Sequence, residues 1–366
     1  MDAQPFKCTL TASPEYRLGA PIIVKLEMQN ISKEIVRFVS WGTPFAGSRP
    51  LDFLSVARDG VDLPYDGPVV GRGEPNDRDY LTLAPNESLT AEVDISLIYP
   101  FELPGEYTAT LTMTLYDAYA LTPQSKSRDG HQPHELERTR AVFTVTPSEL
   151  PARLTTGQQV LLADVQNLLP RRRGQNLIGG TPQERDLVLK GHNAAERAVS
   201  PELVPGPLLG GNPTVAQLYT KWFGAQGQTV PNPDAPFIVV PRSSVVENII
   251  REISRVLATQ TVTYDLRGDS WCDTESAHTW SGSRTIFFCP PAFSGSTPQV
   301  WIMRDLLVHE WAHAVSARLD GGKSLVTDHA YGNADCTLLA RNDPEKAIRN
   351  ASNYEMFIHY LLKAAG

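Results

Sequence analysis

The chain has 366 residues, of which 41% are hydrophobic and 20% charged, with a formal net charge of −8. This is ordinary globular composition for a chain long enough for two domains. The acidic balance, without a long basic run, argues against nucleic-acid binding. No apolar stretch approaches the roughly 18 residues that cross a bilayer, which excludes membrane insertion.

Residues 1–147 are predicted to form an all-β domain. Apolar and polar residues alternate in "SLTAEVDISLIY" (residues 88–99) and again in "EYTATLTMTLY" (residues 106–116). A period of two marks half-buried strands. Asp59-Gly60, between two apolar runs, predicts a hairpin turn. About seven short strands separated by turn residues favour an immunoglobulin-like β-sandwich.

Residues 148–181 are predicted to be a linker that includes a short amphipathic helix. Its Arg171-Arg172-Arg173 triplet followed by Gly174 suits an exposed, protease-sensitive site. The other interpretation is a solvated basic loop that is never cut.

Residues 182–366 are predicted to be an α+β domain. In "SSVVENIIREISRVLA" (residues 243–258) the apolar residues share one helical face, and further helices are predicted around residues 183–200, 215–224, 300–319 and 353–364. "TVTYDL" and "SRTIFFC" are predicted strands, and the second is a candidate edge strand for pairing with an extended peptide. Cys272 and Cys289 flank a predicted hairpin, which suits a disulfide bond. Cys8 and Cys336 then have no assigned partner and are either free or paired with each other.

The sequence "LVHEWAHAVS" contains a His-Glu-x-x-His motif. On a helix, His309 and His313 project from one face and can bind one Zn²⁺ ion, while Glu310 is placed to take a proton from water. A catalytic zinc site needs a third protein ligand. The candidates are Asp328, Glu355 as in a thermolysin-like enzyme, and His329 or Asp335.

The segment "TDHAYG" favours Asp328. With the preceding motif it resembles the aspzincin metallopeptidases, the family of deuterolysin and the peptidyl-Lys metalloendopeptidases, whose signature follows HExxH with Gly-Thr-x-Asp-x-x-Tyr-Gly. Leu325-Val326 stand in place of Gly-Thr. The segments "YTKWFG", "CDTESAHTWSGSRTIFFCPPAF" and "AIRNASNYEMF" resemble further family elements, and the N-terminal half resembles the β-sandwich that precedes some catalytic domains.

The resemblance implies a zincin-type catalytic domain that hydrolyses peptide bonds in proteins. His309, His313 and Asp328 would bind one Zn²⁺ ion, and Glu310 would be the general base. Tyr331 would stabilise the oxyanion of the tetrahedral intermediate.

It also implies a pocket for the residue after the scissile bond. Glu355 matches the family's acidic residue there and Ser352 replaces a second, so a preference for lysine is expected.

The N-terminal domain has two interpretations. It is either a propeptide that covers the active site and is cut off in the linker, or a permanent substrate-binding domain. The first residues lack the basic and apolar regions of a secretory signal, so we expect either a secreted protease whose signal is removed or a toxin delivered by a specialised secretion apparatus. The non-enzymatic alternative is a zinc-stabilised binding protein.

Overall fold

The computed structural model describes residues 5–45, 52–71, 75, 77–120, 133–149, 151–167, 174–201, 204, 212–233, 235–272, 275–294, 299–316 and 325–365. These residues fall into two compact units. The first comprises residues 1–67 and 75–159, and the second comprises residues 68–74 and 160–366. No helix in the described part of the chain is long and apolar enough to cross a membrane.

The N-terminal part of the chain is all-β, as predicted. Its strands are β1 (Phe6–Ala12), β2 (Glu15–Arg17), β3 (Ile23–Asn30), β4 (Val36–Val39), β5 (Leu54–Arg58), β6 (Val61–Asp62), β7 (Val69–Gly71), β8 (Tyr80–Leu83), β9 (Ser88–Asp94), β10 (Gly105–Leu111), β11 (Thr114–Ala120), β12 (Pro133–Glu135) and β13 (Arg140–Thr146). Those of the first unit form three sheets, in the orders β1-β3-β9, β2-β13-β10-β5-β6 and β12-β11-β4-β8. The predicted Asp59-Gly60 turn joins β5 to β6, and both of its residues have positive φ.

Two alternating segments differ from the strands predicted for them. β9 ends at Asp94, whose side chain accepts a hydrogen bond from the backbone N–H of Ser96 and caps a 3₁₀ turn at Ile95–Leu97. The second segment divides at residues 112–113 into β10 and β11, which belong to different sheets. In both cases the apolar alternation continues beyond the strand because apolar residues such as Ile95 and Met113 stay buried after the backbone changes direction.

The second unit is α+β. Its helices are α1 (Thr156–Asn167, whose first four residues belong to the first unit), α2 (Pro182–Ala198), α3 (Pro213–Phe223), α4 (Arg242–Thr259), α5 (Val300–Val315), α6 (Gly332–Asn342), α7 (Pro344–Ala347) and α8 (Ala351–Ala365). Its further strands are β14 (Gly174–Ile178), β15 (Thr229–Asn232), β16 (Ala235–Pro241), β17 (Thr261–Asp265), β18 (Ala277–Thr279) and β19 (Thr285–Phe288). α5 packs against α2, α4 and α8.

The main sheet of this unit has the order β14-β17-β19-β18-β7. β19, the candidate edge strand, is therefore internal, because β17 pairs with one side of it and β18 with the other. The outer side of β18 pairs antiparallel with β7, with Val70 opposite His278. The predicted edge assignment was wrong because β17, itself a predicted strand, and the short strand β18 of the adjacent hairpin pair with the two sides of β19.

The predicted linker at residues 148–181 contains regular structure. The expected helix is present as α1, and β14 adds a parallel strand to the main sheet by pairing with β17. The Asp164 carboxylate of α1 accepts hydrogen bonds from the Ser283 and Thr285 hydroxyls and the Arg284 backbone N–H. The second unit thus begins before Pro182. The Arg171–Arg173 triplet lies outside the described residues.

The predicted helices of the second unit form because each has an apolar face to bury. In α4 that face is fully covered, with Ile253 and Val256 at 0% exposure. α2 begins with a capping box between Thr181 and Glu184. Cys272 and Cys289 form the expected disulfide bond on either side of the β18–β19 hairpin, while Cys8 and Cys336 are free thiols.

Candidate metal centre and active site

α5 presents the two motif histidines side by side in the protein interior. His309 is 2% exposed and His313 is 0% exposed. Their Nε2 atoms lie 3.2 Å apart, as expected for residues four positions apart on a helix. Two buried imidazoles whose nitrogens converge in this way can share one cation.

Asp328 completes a three-residue cluster with these histidines. One carboxylate oxygen lies 3.3 Å from Nε2 of His309 and the other lies 3.3 Å from Nε2 of His313. Neither oxygen accepts a hydrogen bond in the described structure, although Asp328 is almost buried. Ligand atoms about 2.1 Å from a tetrahedral zinc ion are about 3.4 Å from each other. The observed separations therefore fit a metal bound by two imidazoles and one carboxylate.

The other ring nitrogen of each histidine has a partner that orients the ring. Nδ1 of His313 donates to the carbonyl of Val326 at 2.9 Å, which leaves the lone pair of Nε2 free to bind a metal. Nδ1 of His309 lies 3.3 Å from a carboxylate oxygen of Glu355 and 3.3 Å from the Ser352 hydroxyl. Glu355 therefore faces the side of His309 away from the cluster, and the geometry favours Asp328 as the third ligand.

Asn350 holds the segment that carries Asp328. Its side-chain oxygen accepts hydrogen bonds from the backbone N–H groups of His329 and Ala330, at 2.6 and 3.0 Å, and its nitrogen donates to the Ala330 carbonyl at 2.9 Å. A backbone bridge between Thr327 and Asn350 fixes the other side of Asp328. The segment is thereby fastened to the start of α8.

Glu310 is fully buried, and neither carboxylate oxygen has a hydrogen-bond partner among the described residues. Burial raises the pKa of Glu310, while the neighbouring His309 and His313 oppose the rise. A carboxylate that is desolvated beside a metal site is suited to accept a proton.

The charged groups around the cluster shift the pKa values of its members. Burial lowers the pKa of His309, but the Asp328 and Glu355 carboxylates outweigh it and raise that pKa well above the usual range. Burial raises the pKa of Asp328, but attraction to His313 and His309 dominates and lowers it below the usual range. A metal ion would supply the positive charge that this arrangement stabilises.

Tyr331 lies beside the cluster, three residues after Asp328. Its ring stacks on that of His309, with centroids 6.5 Å apart and an angle of 18° between the planes. Gly332, which follows it and begins α6, has a φ of 68°, a conformation that favours glycine. The Tyr-Gly pair thus places the phenol near the metal site.

The remaining ligand candidates lie outside the cluster. Nε2 of His329 is 3.1 Å from the Thr327 hydroxyl, and burial lowers the pKa of His329 to about 4. Asp335 is buried in α6. Within the described residues, His309, His313 and Asp328 form a candidate metal group that contains neither of them.

Other segments quoted for the family resemblance also meet at this site. Asn353 of α8 donates hydrogen bonds to the carbonyls of Trp222 and Cys336. Gly224 has a φ of 83°, and a Cβ there would approach the Ala340 carbonyl oxygen to 2.7 Å. These contacts connect α3, α6 and α8 behind the Asp328 segment.

Sequence reasoning missed Asn350, which holds the Asp328 segment, and it missed the cavity-lining residues Arg304, Asp305 and His359. Arg304 and Asp305 precede the HExxH motif on α5, and His359 lies on α8, so only the tertiary structure brings them together. The sequence signal that could have pointed to Asp305 is a charged residue in a mostly apolar helix, one turn before His309, because such helices seldom bury an acid without a role.

A buried HExxH helix with a third carboxylate at ligand distance defines a metallohydrolase site. Residues 209–359 match the family model of the aspzincin lysine-specific metallo-endopeptidases. The chain therefore carries an aspzincin metallopeptidase domain and is a metalloendopeptidase. The non-enzymatic alternative is not retained.

Two known proteins illustrate the similarity. The chain is 22% identical over 339 residues to an "extracellular protease" of Aeromonas hydrophila, which covers 91% of this chain and 86% of that protein. A solved zinc peptidase from Grifola frondosa is 24% identical, covers 49% of this chain and 96% of its own, and has a TM-score of 0.35.

Proposed function

We propose that the chain is a zinc-dependent endopeptidase in which His309, His313 and Asp328 bind one Zn²⁺ ion. The observation that carries the proposal is the mutual spacing of 3.2–3.3 Å between their ligand atoms. Bound zinc would supply Lewis-acid activation of the attacking water and of the scissile carbonyl. Two nitrogens and one oxygen are a usual ligand set for catalytic zinc.

In the proposed mechanism, Glu310 removes a proton from the water that attacks the scissile carbonyl. When the C–N bond breaks, the same carboxyl group passes that proton to the leaving amine. The Tyr331 hydroxyl donates a hydrogen bond to the developing oxyanion, which its stacking beside His309 supports. Protein and peptide chains are the substrates.

We further propose that a basic side chain, preferably lysine, occupies the pocket after the scissile bond. Glu355 lines a cavity beside His309 and is partly exposed, with 23% of its side-chain surface accessible. Ser352 is buried against Nδ1 of His309 and offers a hydroxyl where a second acid is expected. One exposed carboxylate supports pairing with an ammonium group.

The first unit is proposed to be an immunoglobulin-like sandwich that keeps the enzyme latent until the linker is cleaved. Its three sheets support the sandwich. The basis for the latency hypothesis is β7, which belongs to the second unit but lies in the chain between two parts of the first, and which pairs antiparallel with β18 and forms the outer strand of the main sheet. An extended peptide substrate would use the same edge of the sheet. A permanent substrate-binding role remains the competing hypothesis.

The proposed location is extracellular. The relative from Aeromonas hydrophila, which matches most of the chain, is named an extracellular protease. Delivery by a specialised secretion apparatus is the competing hypothesis.

Cleavage-site profiling tests the function. An unfolded protein is incubated with the full chain, with the chelator-treated chain and with Glu310→Gln, and the new termini are identified by mass spectrometry. We expect the full chain to cut before lysine and the chelator to abolish these cuts. The Glu310→Gln variant should bind zinc but make no cuts. Cuts by Glu310→Gln at a near-normal rate would contradict the mechanism, and cuts without enrichment of lysine would remove the specificity.

A further inference from the structure

A cavity of about 910 Å³ opens beside His309. Aromatic and aliphatic side chains form much of its wall, including Phe293, Trp301 and Met356. Two carboxylates interrupt this apolar lining, Glu355 from α8 and Asp305 from α5. An apolar cavity with a few fixed polar groups is the usual form of a side-chain pocket.

Asp305 lies one helical turn before His309, so both residues project from the same face of α5. It is only 4% exposed. Its two oxygens have separate partners: Arg304 Nε donates to Oδ1 at 2.7 Å, and His359 Nδ1 lies 2.7 Å from Oδ2. A buried carboxylate held in this way has a fixed position in the wall of the cavity.

We infer that Asp305 is a specificity-determining residue, which supplies the second carboxylate of the pocket in place of Ser352. This inference rests on the proposed peptidase function and identifies the pocket's occupant as a cationic side chain. Oδ1 of Asp305 already faces two nitrogens of Arg304, but Oδ2 faces only Nδ1 of His359 and keeps acceptor capacity for an incoming ammonium group. Asp305 and Glu355 come from different helices and would approach that group from two sides.

Arg304 would compete with a substrate cation for the Asp305 carboxylate. Its Nη2 lies 2.6 Å from Asp305 Oδ1, and its side chain is only 12% exposed. The guanidinium therefore offsets part of the negative charge that a substrate cation would meet. Lys363 also lines the cavity, but its side chain is exposed to solvent, which screens its charge. With two carboxylates against one buried cation, the pocket still favours a positive occupant over a negative one.

The pocket assignment predicts opposite effects for two neighbouring substitutions. Asp305→Asn should reduce selectivity for lysine, because it removes one of the two charges that attract the ammonium group. Arg304→Gln should increase it, because it removes the competing cation. General damage to the fold cannot raise selectivity in one variant and lower it in the other.

The test uses three peptides that differ only in the residue after the cut, which is Lys, Met or Glu. They compete in one reaction with the zinc-loaded full chain, and the ratio of kcat/KM for Lys over Met is measured. This ratio does not depend on the fraction of folded enzyme. We expect it to fall about tenfold in Asp305→Asn and in Glu355→Gln, and to rise several-fold in Arg304→Gln. Glu345→Gln, at an exposed position on α7, controls for loss of overall charge and should leave the ratio unchanged.

The contrary outcomes are distinguishable. A ratio for Asp305→Asn within twofold of wild type, while Glu355→Gln lowers it, would overturn the role of Asp305 alone. A wild-type enzyme that cuts the Met or Glu peptide better than the Lys peptide would overturn the cationic pocket but leave the peptidase intact. A wild-type enzyme that cuts none of the peptides would overturn the proposed function and the inference with it.

Discussion

A carboxylate oxygen of Glu355 lies 3.3 Å from Nδ1 of His309, on the opposite side of the imidazole from Asp328. The His309 imidazole thus lies between two carboxylates, Asp328 and Glu355. Asp328 faces Nε2 and the neighbouring His313, whereas Glu355 contacts Nδ1 and also lines the cavity beside His309. A carboxylate behind a metal-binding histidine orients the ring and increases its basicity.

Substitution of the two acids should therefore affect zinc binding differently. Asp328→Asn should lose stoichiometric zinc after dialysis, because a ligand is removed. Glu355→Gln should retain one zinc per chain, with affinity reduced about tenfold because only the orientation of His309 is affected. Zinc content by mass spectrometry and competition with a chelator dye measure both. An empty site in Glu355→Gln and a full one in Asp328→Asn would instead support a thermolysin-like ligand set.

Asn350→Ala should release the segment that carries Asp328. The substitution leaves the backbone groups of His329 and Ala330 without their partner in the interior. We expect the free energy of unfolding to fall by about 2–4 kcal/mol and zinc affinity to fall with it. Urea unfolding and zinc retention are the measurements. Asn342→Ala, at an exposed position of α6, is the control and should change neither.

The acidic limit of activity should lie above the ordinary pKa of a glutamate. Glu310 accepts a proton only when it is ionised, and burial raises its pKa from 4.5. Activity is therefore lost as the pH falls through this raised pKa and recovers as the pH rises above it. The profile of kcat/KM against pH on zinc-loaded enzyme measures the midpoint. Zinc content at each pH separates protonation of Glu310 from loss of the metal, and a midpoint below 4.5 with zinc retained would contradict the prediction.

Much of the site could be predicted because its elements carry local patterns. The HExxH spacing requires only that α5 be a helix, and the apolar residues of "VWIMRDLLVHEWAHAV" (residues 300–315) predict that helix. The choice of Asp328 came from the Asp-x-x-Tyr-Gly pattern, and the structure places Asp328 at ligand distance. The hydrogen bonds from Asn350 to the residues after Asp328 could not be predicted. Contacts between a side chain and a distant backbone leave no periodic pattern in the sequence.

The parts of the fold that were not predicted depend on pairing between strands that are distant in the sequence. β7 and β14 are three and five residues long and have no alternation, yet both extend the sheet of the second unit. β10 and β11 share one continuous alternation but separate into two sheets. In each case the partner strand decides the structure, and the partner cannot be identified from the segment itself.

Asp164→Ala should destabilise the second unit, although this residue lies in the predicted linker. Its carboxylate is 8% exposed and accepts hydrogen bonds from Ser283, Arg284 and Thr285 at 2.8–2.9 Å. Loss of this acceptor removes the partner of the Thr285 hydroxyl and the Arg284 backbone N–H and leaves the Ser283 hydroxyl with a longer contact of 3.3 Å to the Thr285 carbonyl, and we expect a decrease of about 3 kcal/mol in the free energy of unfolding. Thermal and urea unfolding of the full chain measure the change. A decrease below about 0.5 kcal/mol would mean that solvent replaces the carboxylate and that the linker is not part of this unit.

Val70→Pro tests whether β7 blocks the edge of the catalytic sheet. Proline removes a backbone N–H and fixes φ, so it should weaken the pairing of β7 with β18. If β7 occupies the edge that a substrate needs, the uncleaved full chain should gain several-fold activity on a peptide substrate. Val61→Pro, in the exposed edge strand β6 of the first unit, is the control for a proline in a strand that does not join the catalytic sheet. Equal or lower activity in Val70→Pro, with zinc retained, would mean that β7 is a structural strand of the peptidase and not an inhibitory one.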